Sequence, residues 1–335
     1  MFRNALCLIS TSLKTLQALP SAGVCSSRFN IFSRLSGSVR QASKKFTTSY
    51  LTSANDVYSF VWSGNFQFKF FTSHVRYINE DDEPPFAING FGRIGKCVLR
   101  LALDLDMNVV AINEPGANIE KIKHSLIYDT VHRNLFKHVI IKDENTLDID
   151  RKIVKVFHES EPENIKWGEL PVDYVIESTG KFTEIEKAKR HMAAGVKKVI
   201  ISAPSKDAPM FVMGVNFDKY TKDMTVVSNA SGTTNCAAPL LNIINKHFGV
   251  EHCLLTTVHA MTSSQPVLDG VKQRSAAGNM VHSTTGAAKA VGIVIPELKG
   301  KVNGDSIRVP VLDVSLLKLY ISKRKGFEEY RALGI

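Results

Sequence analysis

The chain has 335 residues, of which 44% are hydrophobic and 22% charged, and this size and composition predict a globular protein with two domains. It contains no run of 18 apolar residues, which argues against a membrane span. The net charge of +10 does not indicate nucleic-acid binding, because seven of the 42 basic residues lie in the acid-free stretch 1–55. The rest of the chain has 35 basic and 32 acidic residues, a net charge of +3.

The leader, residues 1–55, is rich in Ser and Thr and has no acidic residue, a composition typical of mitochondrial transit peptides. Apolar residues recur in it at helical spacing, as at Phe2, Leu6, Ile9 and Leu13. Two other interpretations stay open: a disordered basic tail, and an upstream sequence wrongly joined to the gene.

An aromatic insert follows at residues 56–83. Two aromatic stretches, Val57–Trp62 and Phe66–Phe71, flank a turn-rich triplet, and this pattern predicts a short β-hairpin. An unstructured or misassigned insert is the alternative. The acidic, proline-containing stretch 80–85 is typical of a linker and predicts a domain boundary.

A glycine-rich turn opens the first domain. In the stretch Phe86–Gly95, Gly90 permits a tight turn, Gly92 lets a pyrophosphate approach the backbone, and Gly95 lets the following helix pack closely. The next strand ends at Glu114, where a dinucleotide fold places the acid that binds the adenine ribose and repels a 2′-phosphate. This order predicts NAD as the cofactor, in preference to NADP.

Strands alternate with helices through the rest of this domain. The predicted strands are 172–177, 197–201, 211–216 and 225–227, and a helix is predicted at 184–194. Such alternation predicts an α/β fold with a doubly wound, mostly parallel sheet of the Rossmann type. Its ligand is expected at the carboxyl ends of the strands.

The stretch Ser228–Cys236 joins a strand to a helical run at 237–248. Small polar residues at such a junction present backbone N–H groups and a partial positive charge, which suit an anion or an anionic nucleophile. Beyond it, a strand at 253–258 precedes His259, and a strand is predicted at 312–321. This part lacks the regular strand–helix alternation and is expected to form an α+β domain.

The five cysteines are sparse. They show no CxxC pair and no spacing typical of metal ligands, so neither disulfides nor a metal site is expected.

From Phe86 to about residue 320, the motifs resemble the phosphorylating, NAD-dependent glyceraldehyde-3-phosphate dehydrogenase family. They include N-G-F-G-R-I-G at 89–95, A-I-N-E-P at 111–115, E-S-T-G at 177–180, I-S-A-P-S at 201–205, S-N-A-S-G-T-T-N-C at 228–236, T-T-V-H-A at 256–260, T-G-A-A-K-A at 285–290 and R-V-P at 308–310. In that family a cysteine thiolate attacks the aldehyde, hydride passes to NAD, and phosphate cleaves the resulting thioester.

The resemblance implies roles for individual residues. His259 is the expected general base. Residues expected at the NAD site are Asn89, Gly90, Phe91, Gly92, Arg93, Ile94, Gly95, Glu114, Thr179 and Ser202. Residues expected to bind the substrate phosphate or the attacking phosphate are Ser231, Thr233, Thr262, Thr285, Gly286 and Arg308. Taken singly, Ser231 and Thr285 are better explained as helix caps, His259 as a hydrogen-bonded core residue and Arg308 as a member of a surface ion pair. Their occurrence together and in order favours the functional roles.

The chain departs from the family pattern at its most reactive position. Gly232 stands where the family has its nucleophilic cysteine, so no thioester is expected. Cys236 lies one helical turn further on and is expected to be structural, because a displacement of ~6 Å spoils the geometry of attack. The loop at 270–274 is shorter than in the family, and the chain ends before the family's last strands and helix. Substituting Gly232 by Cys is therefore expected to restore little activity.

These features divide the chain into a leader at 1–55, an insert at 56–83, an NAD-binding domain at 84–230 and a shortened catalytic domain at 231–335. By family, the function is oxidative phosphorylation of glyceraldehyde 3-phosphate in glycolysis. Family members are cytoplasmic homotetramers. In this chain the short loop argues against the tetramer, and the leader suggests a mitochondrial location. A catalytically silent NAD-binding homologue and a defective gene product are the alternatives.

Overall fold

The structure is a computed structural model that describes residues 58–63, 67–72, 84–132, 136, 138–262, 265–271 and 274–323. The predicted leader lies outside these residues. The described part falls into two units, residues 58–72 and residues 84–323, and each is considered by itself.

The smaller unit is a β-hairpin. Its strands β1 (Tyr58–Ser63) and β2 (Gln67–Thr72) pair antiparallel, with Phe60 opposite Phe70. The hairpin predicted for the aromatic insert is thus confirmed at the level of backbone pairing.

The larger unit begins with an eight-stranded sheet. Its strands are β3 (Phe86–Asn89), β4 (Val109–Asn113), β5 (Val139–Asp143), β6 (Thr146–Ile149), β7 (Lys152–Phe157), β8 (Tyr174–Glu177), β9 (Lys198–Ile201) and β10 (Val226–Ser228). Three helices accompany them: α1 (Arg93–Asp104), α2 (Ile119–Ile127) and α3 (Ile185–Ala193). The strand order is β10-β9-β8-β3-β4-β7-β6-β5.

Six adjacent strands of this sheet, from β10 to β7, run parallel, as predicted. Strands β5 and β6 add an antiparallel edge that the sequence analysis did not identify. The two prolines before Phe86 precede β3, so this central strand keeps its N–H donors. A buried apolar cluster containing Ile88, Leu99 and Ile112 joins the sheet to α1.

The prediction of a strand at 211–216 was wrong. Among these residues the chain turns, and a short 3-10 helix, Phe217–Lys219, follows. The Asn216 side chain stabilises this turn, because its Oδ1 accepts from the backbone N–H of Val212 (2.9 Å) and its amide donates to the carbonyl of Met210 (2.9 Å). Apolar content alone did not distinguish this turn from a strand.

The remainder forms the predicted α+β part. Helix α4 (Gly232–Phe248) leads into a four-stranded sheet of β11 (Val250–His259), β12 (Val281–Thr284), β13 (Val302–Arg308) and β14 (Leu316–Lys323), and helix α5 (Ala287–Val294) lies between β12 and β13 in sequence. The strand order is β12-β13-β11-β14. The two helices pack on one face of this sheet, where Leu241, Leu255 and Val291 share a buried cluster.

The opposite face of the four-stranded sheet carries exposed apolar side chains. Leu254 of β11 and Tyr320 of β14 are paired neighbours and are 49% and 56% exposed. Within the residues described, no helix is long and apolar enough to cross a membrane.

Candidate active site

The glycine turn between β3 and α1 has the geometry that its sequence predicts. Gly90 has a φ of +89°, and a Cβ there would lie 2.7 Å from the backbone nitrogen of Thr179. A Cβ on Gly95 would lie 2.1 Å from the carbonyl oxygen of Gly90. By contrast, a Cβ on Gly92 would meet nothing within 4 Å, so this position is open to a ligand. The turn therefore has two crowded glycines and one open one, as a pyrophosphate site requires.

Glu114 is held against this turn. One carboxylate oxygen accepts a hydrogen bond from the backbone N–H of Phe91 (2.9 Å), and the other accepts from the N–H of Gly116 (2.9 Å). Because Glu114 directly follows β4, the carboxyl ends of β3 and β4 present the turn and the acid together. This is the arrangement predicted for an adenine ribose contact.

The other residues expected at the NAD site lie on the same edge of the sheet. Ser202 follows β9 and is buried, and its hydroxyl donates to the carbonyl of Glu177 (2.9 Å). Arg93 begins α1, and its guanidinium donates to the carbonyl of Leu312 (3.2 Å). Arg93 thus connects the nucleotide-binding sheet to the segment that precedes β14.

A second group of residues surrounds the start of α4. Ser231 is the N-cap, and its hydroxyl oxygen accepts from the backbone N–H of Thr234 (3.1 Å). Gly232 is the first helical residue and is buried. The first turn contains no acidic residue, so the positive end of the helix dipole is not offset there. Just before the cap, buried Ala230 has a φ of 57°, a left-handed conformation that is uncommon for a residue with a Cβ.

Helix α5 begins in a similar way. The hydroxyl oxygen of Thr285 accepts from the backbone N–H of Ala287 (3.2 Å), and Gly286 is exposed at the N-cap. Helices α4 and α5 pack against each other in one buried cluster. Capping by the side chain is therefore observed for Ser231, whereas Thr285 precedes the N-cap Gly286 and accepts from the first helical N–H. The role of both residues toward a phosphate stays a prediction.

His259 and Arg308 are brought together by strand pairing. They are opposite residues at the ends of the parallel strands β11 and β13. The guanidinium Nη1 of Arg308 lies 2.7 Å from Nδ1 of His259 and 3.1 Å from the carbonyl oxygen of Ala260. Nδ1 of His259 also lies 2.8 Å from that carbonyl oxygen. It therefore faces both a donor, the guanidinium of Arg308, and an acceptor, the carbonyl of Ala260.

Burial lowers the pKa of His259 below its ordinary value, and the positive charge of Arg308 lowers it further. Burial also lowers the pKa of Arg308. A hydrogen bond to the carbonyl of Ala260 partly opposes the two causes that lower the pKa of His259. The general-base role expected for His259 stays a prediction: it requires the tautomer that donates from Nδ1 to Ala260 and leaves the lone pair of Nε2 free.

Thr262 lies two residues beyond Ala260, where its backbone N–H donates to the side-chain oxygen of Gln265 (3.1 Å). Thr233, in the first turn of α4, is half-buried. The site residues predicted from motifs therefore lie at two structural locations: the strand ends of the large sheet, and the ends of α4, α5, β11 and β13. Glu177, His191 and Trp167, a buried polar set beneath the first location, were not among the predicted site residues.

A parallel sheet with a glycine turn and an acid at its strand ends, followed by a separate α+β part that carries His259 and Arg308, defines a two-domain dehydrogenase of the Rossmann class. Two family models match this chain: the glyceraldehyde 3-phosphate dehydrogenase NAD binding domain at residues 85–185 and the glyceraldehyde 3-phosphate dehydrogenase C-terminal domain at residues 231–329. The chain belongs to the glyceraldehyde-3-phosphate dehydrogenase family, and its cofactor is NAD.

Similar proteins occur in distant organisms. The glyceraldehyde-3-phosphate dehydrogenase of Wickerhamomyces ciferrii is 50% identical over 254 residues, covering 73% of this chain and 76% of the relative. That of Phytophthora infestans is 53% identical over 240 residues, covering 70% and 72%. The cytosolic glyceraldehyde-3-phosphate dehydrogenase of Gracilaria gracilis is 50% identical over 245 residues, covering 71% and 73%.

Proposed function

We propose that this protein binds NAD and glyceraldehyde 3-phosphate but does not carry out the phosphorylating oxidation. The observation that carries this proposal is Gly232, which occupies the start of α4 without a side chain. Covalent catalysis requires a nucleophile there, and its loss leaves at most a small residual rate. Bound NAD would supply a hydride acceptor, but Gly232 has no thiol with which to form the thiohemiacetal from which hydride would leave.

Binding depends on other groups, which are present. The uncompensated N-terminus of α4 and the side chain of Arg308 are both suited to an anion. We assign the phosphate groups of the substrates to this region, with Ser231, Thr233 and Thr262 as further donors. The crowded and open glycines of the first domain and Glu114 support the NAD site.

Cys236 is the one other candidate nucleophile in this helix. It is half-buried and lies four residues after Gly232, one helical turn and about 6 Å along the axis. Attack on an aldehyde held at the start of α4 requires reacting atoms about 3 to 3.5 Å apart. We therefore assign Cys236 a structural role.

Two assays on the full chain test the proposal. Calorimetric titration with NAD is expected to show saturable binding. Incubation with NAD, glyceraldehyde 3-phosphate and inorganic phosphate is expected to show no NADH absorbance above background. NADH formation that depends on phosphate and disappears in the variant Cys236→Ala would show that Cys236 is the nucleophile and would contradict the proposal; the variant Cys253→Ala, a buried thiol on β11, is the matched control.

We also propose a cytoplasmic location and domain limits near residues 84 and 231. The location draws on the relative from Gracilaria gracilis, which is named as cytosolic. A fluorescent protein fused after residues 1–55 tests it: mitochondrial accumulation would contradict it.

A further inference from the structure

A buried carboxylate lies beneath the NAD site. Glu177 is the last residue of β8 and is only 1% exposed. It contacts His191 of α3, which is 0% exposed, and that imidazole contacts the equally buried Trp167. Burying a carboxylate is costly unless hydrogen bonds surround it, so its position needs a physical explanation.

The protonation of His191 follows from Trp167. An indole N–H can only donate, so Nδ1 of His191, 3.1 Å away, accepts. The neutral imidazole therefore carries its proton on Nε2, which lies 3.1 Å from Oε2 of Glu177 and donates to it. Trp167 thus turns His191 into a hydrogen-bond donor toward the carboxylate.

The backbone N–H of Glu159 fixes the orientation of the amide side chains of Asn113 and Asn89 in the same way. The N–H of Glu159 donates to Oδ1 of Asn113 (2.9 Å), so the amide nitrogen of Asn113 donates to Oδ1 of Asn89 (2.7 Å). The amide nitrogen of Asn89 then donates to Oε2 of Glu177 (2.6 Å). The chain of donors has one direction and ends at the carboxylate.

The other oxygen of Glu177 binds Thr179. It accepts from the backbone N–H of Thr179 (2.7 Å) and from its hydroxyl. Glu177 therefore joins the carboxyl ends of β8 and β3 directly, and that of β4 through Asn113, and these three strands are neighbours in the sheet. Thr179 is also the residue that a Cβ on Gly90 would approach most closely in the glycine turn.

We propose that Glu177, oriented by His191 and Trp167, is the positioning residue of the NAD site. It acts through Asn89 and Thr179, which it fixes beside the glycine turn, and not by touching the cofactor. The inference rests on NAD binding and is independent of the chemistry at Gly232. Phosphate-dependent NADH formation would contradict the proposed function but would not affect this inference.

The test compares NAD dissociation constants of full-length variants by calorimetry, with unfolding temperatures recorded in parallel. Glu177→Gln keeps the size of the side chain but places an amide N–H₂ against donors, and we expect about tenfold weaker NAD binding. His191→Leu, which removes the donor, is expected to weaken binding by a similar factor. His191→Gln, whose terminal amide can still donate to Glu177, is expected to stay within about threefold of the wild type.

A control separates positioning from stability. Leu147→Ala empties a buried position on β6, three strands from β3, so it is expected to lower the unfolding temperature and leave the NAD dissociation constant within about twofold. Wild-type affinity in folded Glu177→Gln and His191→Leu would overturn the proposal. So would equal loss of affinity in His191→Gln and His191→Leu, or failure of the wild type to bind NAD. If Glu177→Gln does not fold, the two His191 variants decide.

Discussion

The strand ends of the large sheet and the region around α4 differ in how completely their functional groups are present and hydrogen-bonded. At the strand ends, Glu114 and Glu177 receive hydrogen bonds from neighbouring backbone and side-chain donors. Around α4, Gly232 supplies no reactive group, and Nδ1 of His259 lies within hydrogen-bond distance of both a donor, Arg308, and an acceptor, the carbonyl of Ala260. We therefore expect the first region to suffice for binding NAD, and the proposed loss of activity to arise in the second region, where Gly232 has no side chain.

This difference shows that binding and chemistry depend on separate parts of the same fold. The residues expected at the NAD site are held by backbone turns and by hydrogen bonds within one sheet, so we expect a change at position 232 to leave NAD binding unaltered. Covalent catalysis depends on a single side chain and on the tautomer of one imidazole. Substitutions in each region should therefore affect different measurements.

The largest effect is expected from Gly95→Ala. Its Cβ would lie 2.1 Å from the carbonyl oxygen of Gly90, a backbone atom that cannot move without opening the turn. We expect a loss of about 3 kcal/mol in the free energy of unfolding, together with loss of NAD binding. Denaturant unfolding and NAD titration measure both.

Gly92→Ala is the matched control, because its Cβ meets nothing within 4 Å. It is expected to change stability by less than about 0.5 kcal/mol while weakening NAD binding. Equal stability losses in the two variants would show that the turn does not distinguish crowded from open glycines.

The second prediction concerns Gly232→Cys. The N-terminus of α4 favours a thiolate, but burial and the charge of Arg308 lower the pKa of His259, which weakens this imidazole as a general base. Since a general base contributes about 10² to 10⁴-fold, we expect phosphate-dependent NADH formation at about 1% or less of the rate of the Wickerhamomyces ciferrii relative.

Gly232→Ser, with a hydroxyl of similar size, is the control and is expected to stay at background. Turnover of Gly232→Cys near that of the relative would show that the missing thiol is the only defect of the second region.

The third prediction separates capping from phosphate binding at Ser231. Ser231→Ala removes the acceptor for the N–H of Thr234 and is expected to cost about 1 kcal/mol, whereas Ser231→Gly costs a few tenths of that amount, ~0.3 kcal/mol. If Ser231 also binds phosphate, the rise in unfolding temperature that phosphate causes in the wild type should shrink in both variants. An unchanged phosphate effect in both would leave Ser231 as a cap alone.

The first region was largely predictable because its determinants are local. The glycine spacing, the strand patterns and the acid after β4 each follow from short stretches of sequence. The buried set of Glu177, His191 and Trp167 was not predictable, since its members come from three separate segments and meet only in the folded sheet. A carboxylate that ends a fully apolar strand was the available signal.

The second region was predictable in its residue types but not in its contacts. The strand pairing places His259 opposite Arg308, a residue 49 positions later in the chain. Nothing in the sequence of either strand specifies which imidazole nitrogen accepts a hydrogen bond. The antiparallel edge formed by β5 and β6 was missed for another reason: its strands are short, and each contains an acidic residue, Asp143 in β5 and Asp148 in β6, that interrupts the apolar pattern.

The smallest expected effect concerns the titration of His259. Burial is the larger cause of its lowered pKa and Arg308 the smaller one, so a nuclear magnetic resonance titration should give a value below the ordinary 6.5. Arg308→Leu should raise it only in part. The folded state binds this proton more weakly than the unfolded state. The titration of His259 therefore leaves the free energy of unfolding unchanged above pH 6.5, and lowers it increasingly as the pH falls below 6.5 toward the folded pKa. His259→Gln should remove that part of the acid sensitivity. A wild-type pKa at or above 6.5 would mean that burial and Arg308 do not outweigh the hydrogen bond to the carbonyl of Ala260, and would contradict the prediction.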